Sequence, residues 1–166
     1  MSGAKRLVFG SVSAQVAEDQ TGRGEVEGGR TAPEVVRRQS GAVDETWVLR
    51  DSGAVSADDV TEMLRDRLSH GEHTTWLDSA RGRTAGLVTN GTRAMLVVLD
   101  FEGDAGVHAA DPNGADQMQS GYMLENGQVD SYADRDTVPL DDAAQALAEL
   151  VRSGSLDPRI YWRSDR

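Results

Sequence analysis

The sequence predicts an α+β fold: an antiparallel sheet of about five to seven strands, arranged as a meander, with two main helices packed on one face. Apolar residues recur with a period of two through much of residues 73–134, which is typical of strands. Two stretches with helical spacing flank this region, at 56–71 and 140–152. Because an antiparallel sheet with one apolar face must cover that face, we expect both helices on the same side.

Residues 1–43 are predicted to be an N-terminal extension, irregular or partly strand, and residues 44–166 one folded domain. The apolar residues within 7–12 favour one strand there. Residues 18–34 are rich in glycine and charge, which favours a loop. Within that loop, residues 22–29 resemble a phosphate-binding loop superficially, but they lack its lysine and its strand–turn–helix context.

The domain is predicted to begin with a strand at 46–51, followed by a helix. We expect Ser56 to be the N-cap of this helix and Gly71 to close it. Its apolar residues fall at helical spacing on one face: Val60, Met63, Leu64 and Leu68.

Six further strands are expected to follow as a meander. Asn90-Gly91 and Asn126-Gly127 stand between apolar runs, where this dipeptide strongly predicts a hairpin turn. The predicted strands are 73–80, 84–91, 94–101, 106–111, 121–127 and 129–134.

A second helix begins after Val138-Pro139 and is predicted to end at Gly154. A last strand is expected at 159–164. Trp76 and Trp162 lie in strand candidates beside apolar neighbours, so we predict both in the sheet core, whereas the place of Trp47 stays open. The apolar stripe of the helix contains Leu140, Ala143, Leu147, Leu150 and Val151.

Charge is distributed unevenly along the chain. Residues 1–94 contain 14 acidic and 12 basic residues, whereas residues 95–166 contain 14 and 5. Residues 94–134, which we call the acidic segment, contain eight carboxylates and no lysine or arginine. A field of one sign raises self-repulsion and serves mainly to steer a partner of opposite charge. The acidic segment therefore predicts a face for a basic partner.

The predicted partner-binding residues form two acidic groups, with two tyrosines as candidate aromatic anchors. One group lies at the end of the strand at 94–101, and the other lies in and just after the strand at 129–134. Solvated carboxylates at a hairpin tip, or a calcium or magnesium site, are the alternatives for the first group. The tyrosines are equally consistent with interface and scaffold. The set is Asp100, Glu102, Asp104, Tyr122, Asp130, Tyr132, Asp134 and Asp136.

Several function classes are disfavoured by composition. A pI near 4.6 argues against direct binding to a nucleic-acid backbone. The chain has no cysteine, hence no disulfide, thiolate metal site or cysteine nucleophile. It also has no apolar run long enough for a membrane span. His70 and His73 are three residues apart, not the four of a zinc protease helix. We therefore predict no catalytic residues, no metal and no cofactor, and a cytoplasmic protein that is not an enzyme.

Residues 90–162 resemble a known family. They contain Asn90-Gly91 followed by the strand RAMLVVL, a segment from Gly106 to Pro112, the run SGYMLENGQ, and a tail. The tail consists of Val138-Pro139-Leu140, an apolar helix, a glycine, a proline, and then a hydrophobic residue and Trp162. The order of these motifs resembles the first-described ("Imm-one") family of immunity proteins from bacterial polymorphic toxin systems, especially its actinomycete members.

The resemblance implies a non-catalytic inhibitor in the cytoplasm of the toxin producer, which binds its cognate toxin domain, with one-to-one binding expected. Members of this family are associated with nucleic-acid-targeting toxins such as cytosine deaminases, among other toxin classes. Such a toxin needs a basic substrate face, which an acidic inhibitor would cover. The residues alone leave two alternatives open: a small intracellular protein-binding or scaffold module with a non-toxin partner, and an enzyme or ligand-binding domain.

Overall fold

The computed structural model of the protein describes residues 45–166. The predictions for residues 7–12 and 18–34 lie outside the described residues. The helices are α1 Val60–Ser69 and α2 Leu140–Ser153, and a short 3-10 helix spans Asp134–Asp136. The strands are β1 Trp47–Leu49, β2 Gly53–Val55, β3 Thr74–Ser79, β4 Thr84–Thr89, β5 Arg93–Leu99, β6 Val107–Ala110, β7 Met118–Met123, β8 Val129–Ala133, β9 Val138–Pro139 and β10 Tyr161–Ser164.

Eight of these strands form one antiparallel sheet. Its order is β10-β6-β5-β4-β3-β1-β2, with β9 pairing beside the start of β5. The centre is the meander β3–β4–β5. A turn at Asn90-Gly91 joins β4 to β5, and a turn at Asn126-Gly127 joins β7 to β8. The predicted α+β class, with an antiparallel sheet and two helices, is confirmed.

The core lies between one face of this sheet and the two helices. Alternate residues of β5 are buried, because successive side chains of a strand point to opposite faces. The stripe of α2 packs on them, and α1 adds Val60 and Leu64 to the same buried cluster. Gly154 ends α2 in the left-handed conformation, with φ +68°, and donates its N–H to the carbonyl of Leu150 at 2.8 Å.

The predicted N-cap of α1 was wrong. The helix begins at Val60 with Asp59 as its N-cap residue. The Ser56 hydroxyl accepts the N–H of Asp58 at 3.2 Å, and the Ser56 carbonyl accepts the N–H of Asp59 at 3.1 Å. Ser56 is therefore used in a separate turn, since serine side chains readily bond nearby backbone groups.

Gly71 ends α1 as predicted, but as the residue after the C-cap and not as the C-cap itself. His70 is the C-cap residue, and Gly71 follows with φ +80°. The Gly71 N–H donates to Leu68 at 3.0 Å, and the Glu72 N–H donates to Arg67 at 2.9 Å. These two bonds define a Schellman motif, which satisfies carbonyls that the helix leaves open.

The hairpin β7–β8 does not continue the main sheet, contrary to the predicted single meander. It forms a separate two-stranded sheet. The edge of β6 is already occupied, because β10 pairs with it from Tyr161↔Ala110 to Ser164↔Val107. The strands β2 and β9 were not predicted, since three and two residues are too few to show a period.

The hairpin is joined to the sheet face opposite the helices. The Thr74 hydroxyl donates to the carbonyl of Met123 at 2.8 Å. On the same face, Trp76 is half-buried over Gly86, where an added Cβ would lie 2.2 Å from the indole. Trp76 thus lies outside the helix-covered core in which we predicted it. Trp162 packs against that core and donates its indole N–H to Asp157 at 3.0 Å, and Trp47 is fully buried.

We predict that Leu147→Ala lowers the free energy of unfolding by roughly 2–5 kcal/mol, because it leaves a cavity in a closely packed site. Leu147 lies in the middle of α2 and is buried against the sheet. Chemical denaturation measures the change. Gln145→Ala, on the exposed side of the same helix, is the control and is expected to change stability by less than about 0.5 kcal/mol. Equal losses in both variants would contradict this placement of the core.

Candidate partner-binding surface

The first predicted acidic group is largely neutralised by arginines from distant parts of the chain. The Arg166 guanidinium lies 2.9 and 2.8 Å from the two carboxylate oxygens of Asp104, and 2.6 Å from Asp100. Arg83 lies 3.3 Å from the other oxygen of Asp100. The pairing with Arg166 holds the pKa of Asp104 well below its ordinary value. Of the three acids predicted here, Glu102 alone has no ion pair within the described residues.

Asp134 belongs to a second group, centred on Arg93 at the start of β5. Arg93 donates to the Thr137 hydroxyl at 2.9 Å and to the backbone carbonyls of Thr137 and Asp134 at 2.7 and 2.9 Å. The carboxylates of Asp111 and Asp134 lie 3.5 and 3.8 Å from its guanidinium. Arg93 therefore joins β5 to the 3-10 helix and compensates two acids of the acidic segment.

Asp136 is also paired. Its carboxylate accepts a hydrogen bond from Arg163 on β10 and lies 3.9 Å from Arg135. His108 on β6 is buried 3.9 Å away, and its Nδ1 lies 2.7 Å from Asp165. This histidine on β6 therefore has an acid on either side, one in the residue that follows β10 and one at the end of the 3-10 helix.

The remaining predicted residues meet on the hairpin β7–β8. The rings of Tyr122 and Tyr132 form an edge-to-face pair, with centroids 4.9 Å apart and an interplanar angle of 81°. Burial raises the pKa of both phenols. Asp130 accepts hydrogen bonds from Gln128 at 2.6 Å and from the Tyr132 hydroxyl at 3.4 Å. Tyr122 is fully buried, so it supports the hairpin from beneath.

A β-bulge at Gly121 explains why Tyr122 points inward. Ser120 pairs with Ser131, but Tyr122 pairs with Asp130, so β7 has one extra residue at Gly121. Gly121 has φ +100°, a conformation that a residue with a side chain rarely adopts. The bulge breaks the alternation of the strand, and a pattern with a strict period of two does not reveal it.

The structure therefore does not bring the predicted acids onto one face. Asp100 and Asp104 follow the end of β5, whereas Asp134 and Asp136 lie near its start, about 20 Å away along a seven-residue strand. Within the acidic segment, three carboxylates have no arginine within 4.0 Å among residues 45–166. These are Glu102, Glu125 and Asp130, of which Glu125 was not among the predicted contacts.

Both histidines considered in the sequence analysis form hydrogen bonds to backbone carbonyls. His70 Nδ1 lies 2.9 Å from the carbonyl of Asp66, and His73 Nδ1 lies 3.0 Å from that of Thr89. Among residues 45–166, no group of three or more histidines and carboxylates is arranged to hold a metal ion. At Asp100 and Asp104, the oxygens that a calcium ion would need are bonded to Arg166.

Comparison with known proteins places this two-layer α+β chain in a class of toxin inhibitors. The family model described as Immunity protein Imm1 matches residues 48–164, more than half of the sequence. The chain therefore belongs to the Imm1 family of immunity proteins, and its implied partner is a toxin protein. No significant match was found among the curated proteins or the solved structures. Neither helix within residues 45–166 has the length and apolar character needed to cross a membrane.

The resemblance read from residues 90–162 is confirmed, and the family match begins at residue 48.

We predict that Asp104→Asn destabilises the protein near neutral pH and that this deficit shrinks in acid. The pKa of Asp104 is lowered in the folded state from an ordinary value of 3.8, so its stabilising contribution is present above that value. The contribution is lost as the pH falls below about 4 toward the depressed pKa. Denaturation of both proteins from about pH 7 to about pH 3 measures the gap.

Glu102→Gln, in the same turn, is the control and should unfold like the unmodified protein at neutral pH. A gap between the Asp104→Asn variant and the unmodified protein that stays constant down to the acid end would show that pairing with Arg166 contributes no stability.

Proposed function

We propose that the protein inhibits a toxin that acts on nucleic acid, such as a cytosine deaminase, by covering its basic substrate face with an acidic surface. The observation that carries this proposal is the location of the net charge. Residues 45–166 contain 22 acidic and 11 basic residues, whereas residues 1–44 contain 6 of each. Residues 45–166 therefore carry the whole net charge of −11.

A toxin that binds DNA or RNA needs cationic side chains along the backbone path of its substrate. An acidic inhibitor competes for those side chains and gains a faster encounter through long-range attraction. Such steering depends on the total field, so acids that are ion-paired within the inhibitor contribute less than those that are not. Seven carboxylates in residues 45–166 have neither an arginine nor a histidine within 4.0 Å: Asp59, Glu62, Glu102, Glu125, Asp130, Asp141 and Asp142.

In this proposal the protein acts by binding alone, in the cytoplasm of the toxin-producing cell, with one inhibitor for each toxin domain. Residues 44–166 are the toxin-binding domain, and residues 1–43 are an extension of it. The hydrogen bonds of the histidines support a non-catalytic role, because His73 bonds to the carbonyl of Thr89 and His108 to the carboxylate of Asp165. The predicted Asp100, Asp104, Asp134 and Asp136 then contribute to the folded surface through their ion pairs.

We predict that Glu125→Gln/Asp130→Asn slows association with the toxin by about tenfold at low salt and flattens its salt dependence, because long-range steering scales with the net negative charge near the contact. The probe is the C-terminal domain of the product of the gene directly upstream, where this proposal places the toxin. Stopped-flow or surface-based kinetics over a range of salt concentrations measure the association rate. Asp141→Asn/Asp142→Asn, at the start of α2, is the matched charge control.

Two outcomes would contradict the proposal in different ways. Absence of any complex between the unmodified protein and the toxin domain would overturn the proposed function. Association rates that match the unmodified protein in both double variants, with the same salt dependence, would show that these acids only keep the surface solvated.

A further inference from the structure

Exposed apolar side chains are concentrated on the short hairpin β7–β8. Residues 45–166 contain six large apolar side chains that are clearly exposed, and three of them lie on this hairpin. Met118 is 59% exposed, Val129 52% and Met123 41%. The other three, Val48, Phe101 and Tyr161, lie on separate elements, and isolated exposed apolar residues are ordinary on a protein surface.

The three hairpin residues share the outer face. Met123 and Val129 are directly opposite each other in the register, and the next outward pair is Ser120 and Ser131. Met118 lies at the other end of β7. The same bulge that turns Tyr122 inward turns Met123 outward, because it shifts the alternation by one residue. The outer face therefore has an apolar pair at one end, two small serines in the middle and a methionine at the far end.

This face is held in place before any partner arrives. The carbonyl of Met123 accepts the Thr74 hydroxyl of the main sheet at 2.8 Å. The N–H of Leu124 donates to Gln128 at 2.8 Å and closes the turn. The edge-to-face pair of Tyr122 and Tyr132 lies beneath, and Tyr122 is fully buried. A surface that is ordered in advance loses little entropy on binding, so more of its contact energy appears as affinity.

The charges around this face determine the chemistry of the partner. Glu125 in the hairpin turn and Asp130 on the inner side of β8 have no arginine within 4.0 Å, and residues 94–134 contain no lysine or arginine. The nearest influence of a cation on Glu125 is that of Arg50, whose pKa the negative charge of Glu125 helps to raise. A partner that fits must present an apolar patch bordered by lysine or arginine. A protein that binds nucleic acid through cationic residues has such borders. Methionine adapts its shape readily, which suits the centre of a recognition surface.

We propose that the outer face of the hairpin β7–β8 is the surface on which the toxin docks. Met123 and Val129 form its apolar centre, Glu125 in the turn forms its acidic border, and Asp130, on the inner side of β8, adds negative charge close by. This inference rests on the proposed function, since it takes the toxin as the partner. It goes further by placing most of the binding energy in apolar contacts on one hairpin, with the acids acting mainly on the rate of encounter.

The test compares two double variants against the same probe, the C-terminal domain of the product of the gene directly upstream. Met123→Thr/Val129→Thr removes the apolar centre and keeps a strand-forming residue at each position. Val48→Thr/Tyr161→Thr makes the same kind of change at exposed apolar residues elsewhere. The hairpin variant is expected to raise Kd by roughly 10- to 100-fold, mainly through faster dissociation, while the control stays within about twofold. Thermal unfolding of each variant shows that the fold is kept.

Ser131→Arg is a second hairpin variant, which places a large cation in the middle of the face without removing any apolar group. It is expected to weaken binding at least as much as the double variant. Binding by the unmodified protein together with wild-type Kd values in the hairpin variants would overturn the docking surface and leave the proposed function standing. Equal losses in the hairpin and control variants would also overturn it. No binding by the unmodified protein would overturn both proposals.

Discussion

Burial of the apolar stripe of α2 against β4 and β5 is the interaction on which the rest of the structure depends. Because α2 lies on the sheet, the short strand β9 that leads into it pairs with the start of β5, next to Arg93. The chain that leaves α2 returns as β10 and pairs with β6. That pairing closes the edge of the sheet, so the hairpin β7–β8 packs on the opposite face. The position of the proposed docking surface thus follows from the packing of a helix on the other side of the sheet.

Excess negative charge is the second constraint, and the fold meets it with arginines that are distant in sequence. All eleven basic residues in 45–166 are arginine, whose planar guanidinium bonds carboxylates in pairs and bridges several acceptors at once. Arg166 spans two acids of one turn, and Arg93 joins two acids to the backbone of the 3-10 helix. These pairs reduce self-repulsion where acids crowd. They also leave a few carboxylates without an arginine within 4.0 Å, and two of these, Glu125 and Asp130, lie on the hairpin.

Much of the fold was predictable because its signals are local. The stripe of α2, its glycine end and both Asn-Gly turns depend on residues within a few positions of each other, and all are found as predicted. The errors have long-range or single-residue causes. The Ser56 side chain bonds within a separate turn before the helix. The edge of β6 pairs with β10, a strand from the end of the sequence. One bulge at Gly121 reverses the faces to which Tyr122 and Met123 point. The predicted binding residues and the proposed docking surface both lie in the acidic segment, but the apolar centre of that surface was not predicted.

The sequence by itself determined the fold class, the family and the sign of the charge, because these depend on composition, periodicity and motif order. The tertiary structure alone decided which acids are compensated and which face of the hairpin is apolar. An ion pair such as Arg166 with Asp100 joins residues 66 positions apart, and Arg93 with Thr137 joins residues 44 apart. A local pattern contains no information about such partners, since the distance between them is set only when the sheet and helices pack.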